Sequence, residues 1–173
     1  MNNDSPTRYD SISRLFHWLM ALLIIWQLLK IGDRIADGEH WIGQTLVPWH
    51  ISIGTLLLLL IVLRTCWKIS RGNQIPQPDP ATAFLVKTGH FLLYATMFLM
   101  PITGILVMVG GGYGLNAFGM QLIAKGEEVS WAASLGSLHS PIAWLLLVLV
   151  LGHIAIALFH HFVKRDDTLQ RML

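Results

Sequence analysis

Four apolar stretches, separated by polar, proline-rich or glycine-rich segments, dominate the chain. They run roughly over 12–31, 50–67, 84–109 and 138–163, and each approaches or exceeds the roughly 20 helical residues needed to cross a bilayer core. No stretch alternates with period two in the way a membrane barrel requires. The pattern predicts an all-α integral membrane protein, an up-down-up-down four-helix transmembrane bundle, with residues 1–173 forming one domain. Residues 2–10 are polar and are predicted to be loosely ordered. The first apolar stretch lacks a small-residue cleavage site, so it reads as a retained helix rather than a signal peptide. Pro48 suits the first turn of helix two, whereas Pro76, Pro78 and Pro80 predict an irregular, stiff link. Pro101 and Gly104 predict a kink in helix three. Gly110, Gly111, Gly112 and Gly114 open a second long loop, which closes over 131–136. Within it, Gly112 to Ala117 fits a G-x-G-x-x-A pattern, but no strand precedes it and a dinucleotide site is set aside.

Charge adds an orientation. Only 13% of residues are charged against 54% hydrophobic, which excludes an ordinary soluble domain. With the N-terminus inside, nine of the twelve basic residues fall on the cytoplasmic side, namely Arg8, Arg14, Arg64, Lys68, Arg71, Lys87, Lys164, Arg165 and Arg171. Lys30, Arg34 and Lys125 remain outside. The positive-inside rule therefore puts both termini in the cytoplasm. Trp41, Trp49 and Trp131 near one interface and Trp18 and Trp67 near the other match the expected aromatic belts. The net charge of +2 is a topological signal and carries no indication of nucleic-acid binding. The single cysteine, Cys66, excludes an intramolecular disulfide, a Cys-rich zinc or iron–sulfur site and covalent haem attachment through C-x-x-C-H.

The histidines change the picture most. His139 and His153 lie fourteen residues apart on the fourth apolar stretch, which places them on nearly one helix face about 21 Å apart along the axis. Imidazoles at membrane depth are expensive and usually turn inward for a function. His50 opens helix two at the depth of His139, and His17 near the start of helix one pairs in depth with His153. Two neutral imidazoles on facing helices meet the needs of a six-coordinate haem b. Each histidine also has a plainer reading, as an interfacial residue at a helix start for His50 and His139 or as a hydrogen-bonded core residue for His153. His17 fits less well by depth, being three residues past Arg14 while His153 lies eleven before Lys164. His160, seven residues after His153 on the same face, competes with it, although His160 and His161 adjoin Lys164 and Arg165 and suit an interfacial helix end. His90, with Lys87 one turn before it, is open to two readings, a structural polar contact or a hydrogen bond to a quinone. His40 sits among charged residues and reads as a solvated surface group.

These residues together resemble the bacterial cytochrome b561 family, related to the cytochrome b subunits of nickel–iron hydrogenases and formate dehydrogenase. The resemblance rests on Arg14-Leu15-Phe16-His17-Trp18, on Trp49-His50, on Gly89-His90 and on His139 with His153. It extends to the end of the chain, where the segment from His160 to Met172 is similar to the family's H-H-x-x-x-K-D-N-T-L-x-R-M tail. The resemblance implies two non-covalent, bis-histidine haems b. His50 and His139 would hold the outer haem iron and His17 and His153 the inner one, leaving His160 aside. It also implies a multi-pass protein of the bacterial inner membrane, with ubiquinone as electron acceptor and a small-molecule or protein donor on the periplasmic side. The compact size is similar to that of superoxide:ubiquinone oxidoreductases.

Two functions follow from this. The first is a quinone-reducing enzyme fed by a periplasmic donor, superoxide among the candidates. A local cationic approach would need Lys30, Arg34 or Lys125, because the outer loops hold three basic against five acidic residues. The alternative is a haem b anchor and electron-relay subunit for a periplasmic dehydrogenase or hydrogenase. A haem-free transporter or metal-binding bundle is disfavoured by the absence of repeats, of broken helices and of buried carboxylates.

Overall fold

The computed structural model describes residues 8–35, 47–72 and 80–173, with no side-chain detail for 31–35 and 47. His40, Trp41, Pro76 and Pro78 lie outside the described residues, as do Asp37 and Glu39. Five α-helices are described: α1 (Ser11–Ile35), α2 (His50–Arg71), α3 (Ala83–Gly110), α4 (Ser130–Gly136) and α5 (His139–Phe159). A short hairpin of β1 (Leu115–Ala117) and β2 (Met120–Ile123) lies between α3 and α4. Helices α1, α2, α3 and α5 belong to the four spans that are long and apolar enough to cross a membrane.

The four long helices alternate in direction. The first and last described residues meet at one end, where the Tyr9 amide donates to the Arg171 carbonyl at 3.1 Å. The hairpin covers the opposite end, with the Phe118 amide donating to Ser52 Oγ at 2.9 Å. Backbone packing runs from α1 to α2, from α2 to α3 and from α3 to α5. Among the described residues, α5 makes no comparable backbone contact with α1 or α2, so a cleft separates it from that pair.

The core occupies the middle of this arrangement. Met20 and Ile24 of α1, Ile53, Leu57, Leu60 and Ile61 of α2 and Leu146 of α5 are buried together. Leu146 stands seven residues from both His139 and His153, so the apolar layer separates two histidine levels. Many other large apolar side chains face outward, including Leu22, Leu59, Phe91 and Val148. In lipid such a surface is matched to its surroundings, and helix association then rests on packing and polar contacts.

The second loop is more ordered than its composition predicts. Leu115 pairs with Ile123, Asn116 with Gln121 and Ala117 with Met120 in antiparallel register. The turn between the strands is Phe118-Gly119, with φ of 51° and 78°, the left-handed pair that a two-residue hairpin requires. Phenylalanine disfavours that conformation, which hid the turn from the sequence. The segment 131–136, predicted to close the loop, is most of α4. Its close crossing with α3 depends on Gly110, where an added Cβ would stand 2.6 Å from Cα of Ala133.

The terminal end also departs from expectation. Residues 8–10 are not loose. Arg8 and Arg14 both donate to the Leu173 carbonyl, and Trp18 Nε1 donates to the Met172 carbonyl at 2.8 Å. Asp10 accepts from Ser13 and from Trp67 Nε1 and pairs with Arg71 at 3.7 Å. Burial pushes the Tyr9 phenol up, Tyr94 beside it adds to the rise, and Arg171 and Arg64 oppose it.

Candidate functional site

Two histidine levels bridge the cleft between α5 and the α1–α2 pair. At the hairpin end, the imidazoles of His50 and His139 have centroids 6.0 Å apart with planes at 87°. At the terminal end, His17 and His153 lie 6.3 Å apart with planes at 47°. Imidazole nitrogens bond metal ions at about 2 Å, so an ion midway between two rings sets their centroids roughly 6 Å apart. Both couples meet that spacing, as does His90 with His153 at 5.9 Å, so at the terminal end distance alone admits His17 or His90 opposite His153. Among the described residues, no three His, Cys, Asp or Glu side chains gather to hold a bare metal ion. Two-ligand sites of this kind fit a group that brings its own equatorial donors, as haem does.

At the hairpin end the supporting contacts set the orientation of one ring. Nδ1 of His139 lies 3.0 Å from the Met100 carbonyl. A carbonyl oxygen only accepts, so Nδ1 carries the proton and Nε2 keeps its lone pair for a ligand role. Thr103 Oγ1 approaches the same nitrogen at 3.2 Å. Gly104 makes the approach possible, since an added Cβ would stand 3.1 Å from Cε1 of His139. Gln27 Nε2 donates to the His50 carbonyl at 2.8 Å, tying α1 to the first turn of α2. An apolar cavity opens here, lined by His50 and His139 together with Gln27, Lys30, Gly54 and Trp144.

The terminal end has a third imidazole. His90 lies 5.9 Å from His153 with planes at 67°, and is hydrogen-bonded to the Val86 backbone. Nδ1 of His17 is buried and has no hydrogen-bond partner among the described residues. An orphaned buried nitrogen is costly without a partner, so this atom fits a site that a metal-bearing group completes. Lys87 is exposed. The lysine that acts electrostatically on His90 is Lys68.

The depth mismatch between His17 and His153 has a structural answer. Beyond Phe159 the helix continues as a π-helical turn, His160–Lys164, and Arg165 adopts a left-handed conformation with φ of 54°. Helix α5 thus protrudes past the start of α1, and the tail folds back to bring Leu173 to Arg14. His160 serves that reversal, since its Nδ1 donates to Asp166 Oδ2 at 2.6 Å. Hydrogen bonds from Thr168 and then His160 hold the Asp166 carboxyl well below the usual carboxylate range.

Several supporting residues escaped the sequence reading. Gln27 is the one polar residue between Leu19 and Leu29, and that isolation was a usable signal. Arg64 and Lys68 follow the buried positions of α2 in helical phase, which was also legible. Nothing in the sequence marks Met100 as the carbonyl that meets His139.

Comparison with known proteins adds an independent line. The model of the family described as prokaryotic cytochrome b561 matches residues 8–173. Cytochrome b561 homolog 2 of Escherichia coli strain K12 is 34% identical over 179 aligned positions, covering 98% of this chain and 93% of that protein. The protein named "Probable superoxide oxidase CybB" of Yersinia pestis is 27% identical, with 96% of both chains covered. Cytochrome b562 of Cereibacter sphaeroides is 24% identical over 95% of this chain and 94% of its own.

Proposed function

The chain belongs to the prokaryotic cytochrome b561 family of membrane haem b electron-transfer proteins, and from that premise we propose that it carries electrons between a periplasmic donor and membrane ubiquinone through two haems b. His50 and His139 would hold one, His17 and His153 the other. The observation that carries this reading is the pair of imidazole couples at 6.0 and 6.3 Å, separated by the apolar layer around Leu146. Haem b held in each couple would supply reversible one-electron transfer.

The chain's own residues orient and protect these sites. The Met100 carbonyl holds His139 in the tautomer that leaves Nε2 available, and Gly104 leaves room for the ring. Lys30 lines the cavity at the hairpin end, a local positive charge that favours arrival of an anionic donor. The name carried by the Yersinia relative supports superoxide as that donor. In the overall reaction two superoxide anions each lose one electron to become dioxygen, and one ubiquinone takes up two electrons and two protons as ubiquinol. The basic residues gathered at the terminal end support an inner-membrane orientation with both termini in the cytoplasm. His90 beside His153 is the side chain best placed to hydrogen-bond a quinone headgroup, with Lys68 rather than Lys87 as the neighbouring cation.

A reduced-minus-oxidised spectrum with pyridine haemochrome quantification tests the reading. Two low-spin haems b per chain, falling to about one in His139→Ala, are expected. A folded protein that carries no haem when fully supplied with it overturns the proposal. One observation favours a second reading, an anchor for a periplasmic dehydrogenase or hydrogenase: Tyr113, Phe118 and Met120 are exposed at the hairpin end. Crosslinking in native membranes then recovers one dominant oxidoreductase, and recovery of the chain alone removes that reading.

A further inference from the structure

Two cations, half-buried Arg64 and exposed Lys68, follow the bundle-facing stripe of helix α2 at the terminal end. The buried positions Ile53, Leu57, Leu60 and Ile61 define that side. Arg64 follows Leu60 by four residues and Ile61 by three, and Lys68 follows Arg64 by four, so both continue the same stripe. A half-buried cation on a membrane helix, such as Arg64, is expensive and is ordinarily met by a partner. Among the described residues, the ion pairs are Arg71 with Asp10 and His160 with Asp166. Neither Arg64 nor Lys68 has a carboxylate within reach in that set.

Both cations lie against an aromatic ring. The Arg64 guanidinium lies 5.5 Å from the Tyr94 ring centroid, and Lys68 Nζ lies 4.5 Å from it. Such contacts orient a cation and offset part of its cost, but they leave its N–H donors unmet. Arg64 also acts electrostatically on His17, His90 and His153. Arg64 therefore lies near the terminal-end imidazoles, with Lys68 near His90, and among the described residues neither cation has a carboxylate countercharge.

We propose that Arg64 and Lys68, steadied on the Tyr94 ring, form an oxyanion site that binds the carboxylate groups of the porphyrin held by His17 and His153. Haem b carries two such carboxylates on flexible arms, and an arginine and a lysine one helical turn apart match two of them. Arginine meets a carboxylate through paired N–H donors, while lysine acts as a compact charge. The inference rests on the haem reading above. It assigns to α2, which supplies an axial ligand at the hairpin end, a second role at the terminal end.

The test uses wild type, Arg64→Gln, Lys68→Gln and the double variant, purified in detergent. Haem per chain, the rate of haem transfer to apomyoglobin and the two midpoint potentials are measured. The double variant is expected to release one haem at least tenfold faster. The same haem's reduction equilibrium is expected to fall about tenfold, which is 59 mV for one electron. The haem at the hairpin end, unchanged, is the internal control.

A second measurement does not depend on the variants folding. Wild-type apoprotein reconstituted with haem dimethyl ester, which has no free carboxylate, is expected to hold one of its two haems at least tenfold more weakly than ordinary haem. Wild-type release rates and potentials in the double variant overturn the proposal, as does equal retention of the ester. Loss of bound phospholipid phosphorus from the variants with both haems unaffected also overturns it, and assigns the cations to a lipid headgroup. A wild-type protein without haem sinks the haem reading itself, which is a different result from two haems held without help from these cations.

Discussion

At the scale of single residues, the site depends on what small and polar neighbours permit. His139 reaches the Met100 carbonyl because residue 104 has no side chain. A Cβ at 3.1 Å is tighter than ordinary contact, and the ring has to yield by a few tenths of an ångström. Gly104→Ala is expected to shift the low-spin signal of one haem in electron paramagnetic resonance, and Gly104→Leu to remove that haem. Both haems intact in Gly104→Leu would show that the ring is not held there. The histidines themselves were legible, because titratable groups in apolar stretches are conspicuous. Their neighbours were less so: Gln27 and Arg64 stand out by polarity and phase, whereas a backbone carbonyl has no signature in a sequence.

At the scale of elements, the four long helices follow from apolar length, and their ends depend on contacts beyond it. Helix α1 runs to Ile35 and α2 to Arg71, past the last residues of their apolar stretches. The hairpin was missed because its turn uses Phe118, and Ser52 on α2 helps to hold it. The returning tail was recognised as a motif, but its work is structural: it bonds Tyr9, Arg14 and Trp18 and anchors itself through Asp166. The joint between the N-terminal segment and α2 is sensitive to acid. Burial raises the Asp10 pKa, but hydrogen bonds from Ser13 and Trp67 and the Arg71 charge outweigh it, so the net shift is downward from 3.8. A depressed folded pKa means that the linked stabilisation is fully present above the ordinary carboxylate value and is lost as pH falls through the folded one. Hydrogen exchange at the Ser13 amide is therefore expected to lose protection below about pH 4 in wild type. Asp10→Asn is expected to lose some of that protection already at neutral pH. An acid response unchanged in Asp10→Asn would place its origin elsewhere.

At the scale of the whole molecule, the bundle sets two histidine levels on either side of an apolar layer, with a cavity and Lys30 at one end and Arg64 and Lys68 against the Tyr94 ring at the other. If superoxide is the donor, stopped-flow mixing under quinone-free conditions is expected to reduce the haems faster than superoxide dismutates, and Lys30→Glu to slow that reduction at low salt. Haems left oxidised by superoxide would remove this donor and favour the protein-anchor role. The sequence by itself determined the class, the number of spans and the identity of the histidines. Each of these is a local property, arising from the transfer of apolar side chains into lipid and from the expense of an imidazole placed there. Only the tertiary structure decided which histidines meet, because that depends on how far α5 protrudes, where its tail turns back and how wide a cleft α3 holds open. His160 and His153 share a helix face, and sequence spacing alone does not separate them. The turn at Arg165 does, by giving His160 to Asp166 and leaving His153 beside His17 and His90.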